Sequence, residues 1–516
     1  MLRMIRALLF SVLLAGASYT TCAAAKTNVL YLLVDDLGWT DLACYGSDLH
    51  ETPNIDALAA SGARFKAAYS ACTVCSPSRA AVMTGKYPAR LHCTDFIPGH
   101  RVTNMPMRMP DWTARLKHSE TTIAEVLKKE GYATAHIGKW HLTRTGPPGD
   151  AGAARHPEDY PDKHGFDVNI AGHERGLPPS YFWPYGRGKT LAEKKNNPLF
   201  ETLAPGGEDG REGEYLTDRL TDEAIAIMKR WQDKPFFLYL PYYTVHTPIQ
   251  AKPELVAKYK AKLEKRGDGW HFNPAYAAMV QNLDESVGRL VAAIDELGLS
   301  DRTAIVLTSD NGGLTGPPSG TRHRVTTNLP LRQGKGSIYE GGVRVPAIVR
   351  WPGITHPGII HLDPIITMDF FPTILELTGA KTIPENDGVS FAALLRDSHN
   401  RLPKRSLFWH YPHYHSCGAV PYSAIRHGDW KLIDFHNPER PPELYNLVSD
   451  LHEDRNRFED RPEIGNLLRE RLLAWQNEVG AQRAEPNPDY DADKPSGGAR
   501  SGKVSPLTAT RWELEE

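Results

Sequence analysis

Residues 27–38 read TNVLYLLVDDLG, an unbroken apolar run that stops at two adjacent acids, Asp35 and Asp36. A strand with one wet face alternates apolar and polar residues; a run without alternation is buried on both faces. Such a strand needs helices above and below it, and the chain supplies them. TTIAEVLKKEGYATAHIGKWHL predicts a helix over 121–130, a stop at Gly131 and a strand over 132–137. LTDRLTDEAIAIMKRW is an amphipathic helix followed by the strand segment PFFLYLPYYTVH. AYAAMVQNLDESVGRLVAAIDELGL is a long helix followed by TAIVLTSDNGG. The alternation predicts a doubly wound α/β fold, a parallel sheet covered by helices on both faces, over residues 26–399. Residues 143–211 are rich in Gly, Pro, His and aromatics and read as long loops over one end of that sheet.

From 400 to 483 the pattern changes. SLFWHYPHY, YSAIRHGDWKLI and ELYNL read as short antiparallel strands and 462–478 as a helix, which predicts a smaller C-terminal α+β subdomain. Residues 484–516 form a polar tail expected to wrap the surface or stay mobile. At the other end, Arg3 and Arg6 precede an apolar run over 7–17 and a stretch of small residues. That order predicts a signal peptide over 1–25 and an exported protein, periplasmic or secreted. YTTC lacks the small residue that precedes a lipidated cysteine, so no lipid anchor is expected at Cys22. No later stretch is apolar enough to span a bilayer, so no stable membrane insertion is expected.

Six cysteines become five once Cys22 is removed: Cys44, Cys72, Cys75, Cys93 and Cys417. The number is low and odd for an exported chain, so disulfides are not the main source of stability. At least one thiol is free, intermolecular or chemically changed. A net charge of -2 gives no global basic field, which excludes nucleic acid as an expected partner. An anionic ligand has to be met by a local cluster.

Open α/β sheets bind ligands beyond the carboxyl ends of their strands. Those ends carry Asp35 and Asp36, Asp310 and Asn311, Lys139 and His141, and His246, while the loop LRQGKGSIYEGG adds Lys335. Three carboxylates and an amide make an all-oxygen donor set, which suits calcium or magnesium rather than zinc or copper. Each acid taken alone also reads as a turn or helix-cap residue. Two Lys and two His beside a divalent cation describe a pocket for a phosphoryl or sulfuryl group, with His moving protons near neutral pH. In ACTVCSPSRAAVMTG, Cys72 and Cys75 permit a redox pair, a buried inert thiol, or a nucleophile at a helix N-terminus beside Arg79.

These segments resemble, in order, those of the type I, formylglycine-dependent sulfatases of the alkaline-phosphatase-like superfamily, and bacterial polysaccharide sulfatases in particular. CSPSRAAVMTGKYPAR resembles the family's C-x-P-x-R signature and GYATAHIGKWHL its second signature. NVLYLLVDDLGWTDLACYG, TSDNGG, LRQGKGSIYEGGVRVPAIVRWPG, HGDWKLI and ELYNLVSDLHEDRN also fit, so the likeness runs over about 26 to 480. The resemblance implies that a maturation enzyme oxidises Cys75 to formylglycine, whose hydrate attacks sulfur. It implies a calcium ion, with magnesium the lesser alternative, on Asp35, Asp36, Asp310, Asn311 and the Cys75 side chain. Arg79 would hold the hydrate, and Lys139 and Lys335 the sulfate oxygens. His246 would protonate the leaving alcohol, with Lys335 as a second candidate donor, and His141 would help expel sulfate. The expected substrate is a sulfated glycan, with galactose or N-acetylgalactosamine, sulfated at O4, as the sugar. His173, Arg175, His323 and His415 are expected sugar contacts from their loop positions, and Trp183, Tyr185 and Trp409 are either stacking platforms or packing residues. Two rivals remain: a phosphodiesterase or phosphonate monoester hydrolase of the same superfamily, and a non-catalytic glycan-binding protein on this fold.

Overall fold

The computed structural model describes residues 26–146, 155–203, 210–267, 269–316 and 325–498. The expected signal peptide with Cys22, His323 and the last eighteen residues of the tail lie outside the described residues. The central strand is Asn28–Val34, and all seven of its residues are buried. Leu30, Leu32 and Val34 enter one apolar layer with Leu238, Leu240, Met279 and Leu283. Val29, Tyr31 and Leu33 enter the opposite layer with Phe237, Tyr239, Phe370 and Phe371. The missing alternation in the sequence is thus the mark of two cores sharing one strand, each buried aliphatic side chain contributing about 1.5–3 kcal/mol.

The main sheet runs in the order Ile359–His361, Ala63–Tyr69, Arg344–Arg350, Thr303–Ser309, Asn28–Val34, Phe236–Pro241, Ala133–Ile137, Val168–Ile170, with Ile365–Ile366 beside Ala63–Tyr69. Every pairing is parallel except the two made by Arg344–Arg350. Helix Pro274–Glu296 covers one face; Asn273 caps it by accepting from the backbone of Ala275 and Tyr276. Helix Phe370–Leu377 packs in the other layer.

A second sheet of four antiparallel strands, Ser406–Tyr411, Tyr422–His427, Trp430–Phe435 and Glu443–Asn446, carries helix Pro462–Val479. It docks on the first through Trp409, whose indole N–H donates to the Ser70 carbonyl at 2.9 Å. The tail wraps the surface as far as it is described: Glu485–Pro486 pairs with Met107–Arg108, and Gly497–Gly498 with Val102–Thr103. Trp409 and Tyr185 are buried packing residues rather than stacking platforms, while Trp183 is partly exposed at the edge of the core, with the Lys195 ammonium over its ring. Among the described residues no helix is long and apolar enough to cross a membrane.

Candidate active site

Four neighbouring parallel strands end at one edge and deliver the predicted groups side by side. Thr303–Ser309 leads to Asp310 and Asn311, Asn28–Val34 to Asp35 and Asp36, Phe236–Pro241 to His246, and Ala133–Ile137 to Lys139 and His141. Ala63–Tyr69 points the same way and runs into helix Cys75–Thr84, whose first residue is Cys75. Because Arg344–Arg350 is antiparallel, the loop before it, with Lys335, comes back to this edge. Asn311 is followed by Gly312, where a Cβ would stand 1.9 Å from the Gly341 carbonyl oxygen; only glycine lets that loop close down. Asp36 and His141 sit at φ 62° and 57°, the left-handed region that costs a side-chain-bearing residue energy and collects at functional sites.

The carboxylates interlock with the cations. Lys139 Nζ donates to Asp35 Oδ2 at 2.7 Å. Lys335 Nζ lies 2.7 Å from Asp36 Oδ1. Arg79 Nη2 lies 2.8 Å from Asp310 Oδ2, and its Nη1 donates to the Lys139 carbonyl at 2.9 Å. Asn311 Nδ2 donates to Asp36 Oδ1 at 2.7 Å, and the Asp36 N–H donates to Asp310 Oδ1 at 3.2 Å. All four oxygen donors are at most 1% exposed, and Asp35 Oδ1 and Asn311 Oδ1 accept no hydrogen bond. Orphaned buried oxygens are costly, and a hard divalent cation is what this donor set would satisfy. Burial pushes the Asp35 carboxyl up to about 8, against the pull of Lys139. Burial also opposes ionisation of Asp36, yet the ammonium of Lys335, with Lys139 behind it, outweighs burial and holds Asp36 well below the usual carboxylate range.

Cys75 Sγ faces His141 Nδ1 at 3.3 Å, while His141 Nε2 lies 2.5 Å from the Ile97 carbonyl oxygen. The carbonyl can only accept, so Nε2 carries the proton and Nδ1 turns its lone pair toward Cys75. Burial pushes the Cys75 thiol up despite Lys139 and Lys335, so an unmodified Cys75 stays protonated and is a poor nucleophile. Burial and Lys139 hold His141 neutral, well below the usual imidazole range. His246 donates from Nδ1 to the Thr247 carbonyl at 2.9 Å and presents Nε2 3.6 Å from Asp36 Oδ2. Burial, then Lys335, lowers it to about 3.

The expected sugar contacts divide. His173 is fully buried: its Nδ1 accepts from the Arg175 N–H at 3.0 Å and its Nε2 meets the Tyr243 hydroxyl at 2.9 Å. With both nitrogens used and no exposed surface, His173 supports the loop and does not meet a sugar; a polar residue in an aromatic-rich loop reads as pocket lining when it is an internal brace. Its neighbours do border the site, since Gly176 lies against the His141 ring. Arg175 is half-buried with an unpartnered Nε. His415 is buried beside Gly336, next to Lys335, with Nδ1 accepting from the Cys417 N–H at 3.1 Å. Cys72 is buried and serves packing. The sequence carried no sign of the Ile97 and Thr247 carbonyls, because any residue type supplies one; Gly176 was visible only as a glycine among many.

Comparison with known proteins adds a second line. A family model described as Sulfatase matches residues 27–380, and one described as N-sulphoglucosamine sulphohydrolase, C-terminal, matches 333–478. The chain is 34% identical to a protein called Sulfatase from Formosa agariphila, over 91% of this chain and 92% of that one. It is 33% identical to the N-acetylgalactosamine-6-sulfatase of Rattus norvegicus, covering 74% of this chain and 67% of the relative. Among solved structures it resembles Ps i-CgsB in complex with k-i-k-neocarrahexaose, with a TM-score of 0.67 and 29% identity over 89% of this chain and 94% of that one.

Proposed function

The chain belongs to the sulfatase family, and from that premise we propose that it removes sulfate from a sulfated carbohydrate outside the cytoplasm, in the periplasm or beyond. The sugar we propose is a galactose or N-acetylgalactosamine within a polysaccharide or its oligosaccharides. The likeness to an N-acetylgalactosamine-6-sulfatase and to a structure solved with a neocarrahexaose supports that choice. The observation that carries the reading is the pair of orphaned buried oxygens, on Asp35 and Asn311, in one site with the Cys75–His141 contact.

Asp35, Asp36, Asp310 and Asn311 would hold a divalent cation. Calcium fits better than magnesium, because these buried donors leave little room for the several waters that magnesium retains. The cation would draw charge from the sulfate oxygens, and Cys75, oxidised to formylglycine by a maturation enzyme, would supply a hydrated aldehyde as nucleophile. Lys139 and Lys335 place two ammonium groups to bind an anionic ester. Arg79, anchored on Asp310 and the Lys139 carbonyl, fixes the first turn of the Cys75 helix. His141 Nδ1, unprotonated and aimed at the Cys75 side chain, accepts the proton released there. His246 is neutral in the free protein; an anionic ester beside it raises its pKa and makes it a proton donor for the leaving alcohol.

The test is sulfate release by matured protein from a panel of sulfated galactans, chondroitin and dermatan sulfates, heparan fragments and an aryl sulfate. Cys75→Ala is the control. Release from a galactan or galactosaminoglycan, lost in the control, supports the reading. Hydrolysis of phosphonate esters with no sulfate released would overturn it.

A further inference from the structure

A second cluster lies behind the Asp36 loop, outside the chemistry above. Asp41, His50 and His271 are all buried, come from separate loops, and each offers a ligand atom within 4.8 Å of the others. The geometry points to a site for a zinc-class divalent ion at Asp41, His50 and His271.

His271 carries the argument. Its Nε2 lies 3.3 Å from Asp41 Oδ1 as an ion pair that lacks the alignment of a good hydrogen bond, and among the described residues this buried nitrogen has no better partner. A nitrogen and an oxygen at that spacing that do not aim at one another can aim at a common point. For bonds of about 2.0 Å, two ligands of a tetrahedral ion stand about 3.3 Å apart. The other ring nitrogen, Nδ1, meets Asp48 Oδ1 at 2.6 Å. A ligating histidine characteristically holds its remote nitrogen against a carboxylate or a carbonyl in this way. His50 Nδ1 meets the Asp41 carbonyl oxygen at 2.8 Å and lies 3.8 Å from Asp41 Oδ1. Its ring centroid lies 4.4 Å from that of His271.

Asp41 keeps one position open. Its Oδ2 accepts from the Gly38 N–H at 2.7 Å and the Tyr276 hydroxyl at 2.6 Å. Among the described residues its Oδ1 accepts only from Thr326, at 2.7 Å, which leaves a lone pair for His271 or an ion. Asp41 would offer one negative charge to the ion directly, while Asp48, behind His271, is shared with Arg266, whose Nη1 lies 3.3 Å from Asp48 Oδ1. The softer imidazole ligands separate this cluster from the oxygen-rich active site and favour zinc over calcium. An ion here would tie the loop that carries Asp36 to the start of helix Pro274–Glu296, where the Tyr276 hydroxyl also faces the Asp36 carbonyl at 3.3 Å.

The competing arrangement is an imidazolium on His271 bridging Asp41 and Asp48 with no metal. Full-length protein is stripped with a chelator, dialysed against calcium, and titrated with Zn2+ or with Co2+ as a spectroscopic probe. Expected is about one zinc per chain that calcium does not displace, and a tetrahedral cobalt spectrum. His50→Ala and His271→Ala should each abolish both, while Asp48→Asn should weaken zinc binding about 10- to 100-fold. The wild-type titration stands even where a variant fails to fold. No zinc uptake by wild-type protein, or zinc that persists in His271→Ala, would overturn the proposal.

Discussion

Gly176→Ala tests the active-site geometry at a position with no chemistry of its own. A Cβ there would stand 2.3 Å from His141 Cε1, 2.6 Å from Nε2 and 2.8 Å from Nδ1. Ordinary carbon contacts begin near 3.4 Å, so the ring or the loop must yield by about 1 Å. The ring is the constrained partner, held by the Ile97 carbonyl at 2.5 Å and by a left-handed backbone at φ 57°. A misplacement of about 1 Å in a catalytic group costs roughly 100-fold in rate, or about 2.7 kcal/mol in the barrier. Overpacking costs about 1–3 kcal/mol of stability, which the whole fold tolerates. The assay is sulfate release from an aryl sulfate and from the best glycan, with formylglycine conversion at position 75 equalised by peptide mass and melting followed by calorimetry. Gly316→Ala is the matched control, since no atom of the described residues lies within 4 Å of its Cβ position. The expected outcome is a fall in kcat of about two orders of magnitude with Tm lowered by a few degrees, and no change in the control. A Gly176→Ala enzyme within about twofold of wild type would refute the assignment of His141 as a positioned base.

Three further outcomes follow from the same contacts. Lys335→Met removes the ammonium 2.7 Å from Asp36, and in chelated protein the buried unpaired carboxylate should cost about 3–5 kcal/mol by denaturant titration, less once calcium is added. Chelation of the wild-type enzyme should abolish sulfate release and lower Tm; at calcium about 100-fold above its Kd, about 2.7 kcal/mol should return, with magnesium restoring less. Burial raises Asp95 from 3.8 to about 7, against the Tyr411 hydroxyl and the Phe96 N–H. A raised folded pKa gives a contribution that is fully present below about pH 4 and lost as pH climbs through 7, at a cost of about 4 kcal/mol. Asp95→Asn should remove that slope while keeping both hydrogen bonds, as measured by unfolding at pH 4, 6 and 8.

The strand-end residues were legible because the physics that buries a strand is separable from the chemistry that follows it. Asp35, Asp310 and Lys139 each interrupt an apolar run, and four adjacent parallel strands then make their positions common. The direction of Arg344–Arg350 was not legible, since VPAIV is equally apolar in either orientation; direction is set by the loop that returns Lys335 to the site. His173 misled because residue type reports polarity and says nothing of which neighbour satisfies it; here Tyr243 and the Arg175 backbone do so internally. The Ile97 carbonyl, which selects the His141 tautomer, left no trace because a backbone group has no letter of its own.

Cys75 is 3% exposed in the folded protein. No second enzyme can close its active site around a side chain so placed, so on the function proposed above the oxidation of Cys75 is a matter of timing. The main sheet is not complete until its last strand in chain order, Ile365–Ile366, has been made. At about 5–20 residues per second, that leaves roughly 15–58 s of synthesis after residue 75 in which the thiol can be reached. On that reading, a variant that folds faster would accumulate a well-packed protein whose Cys75 stays unconverted.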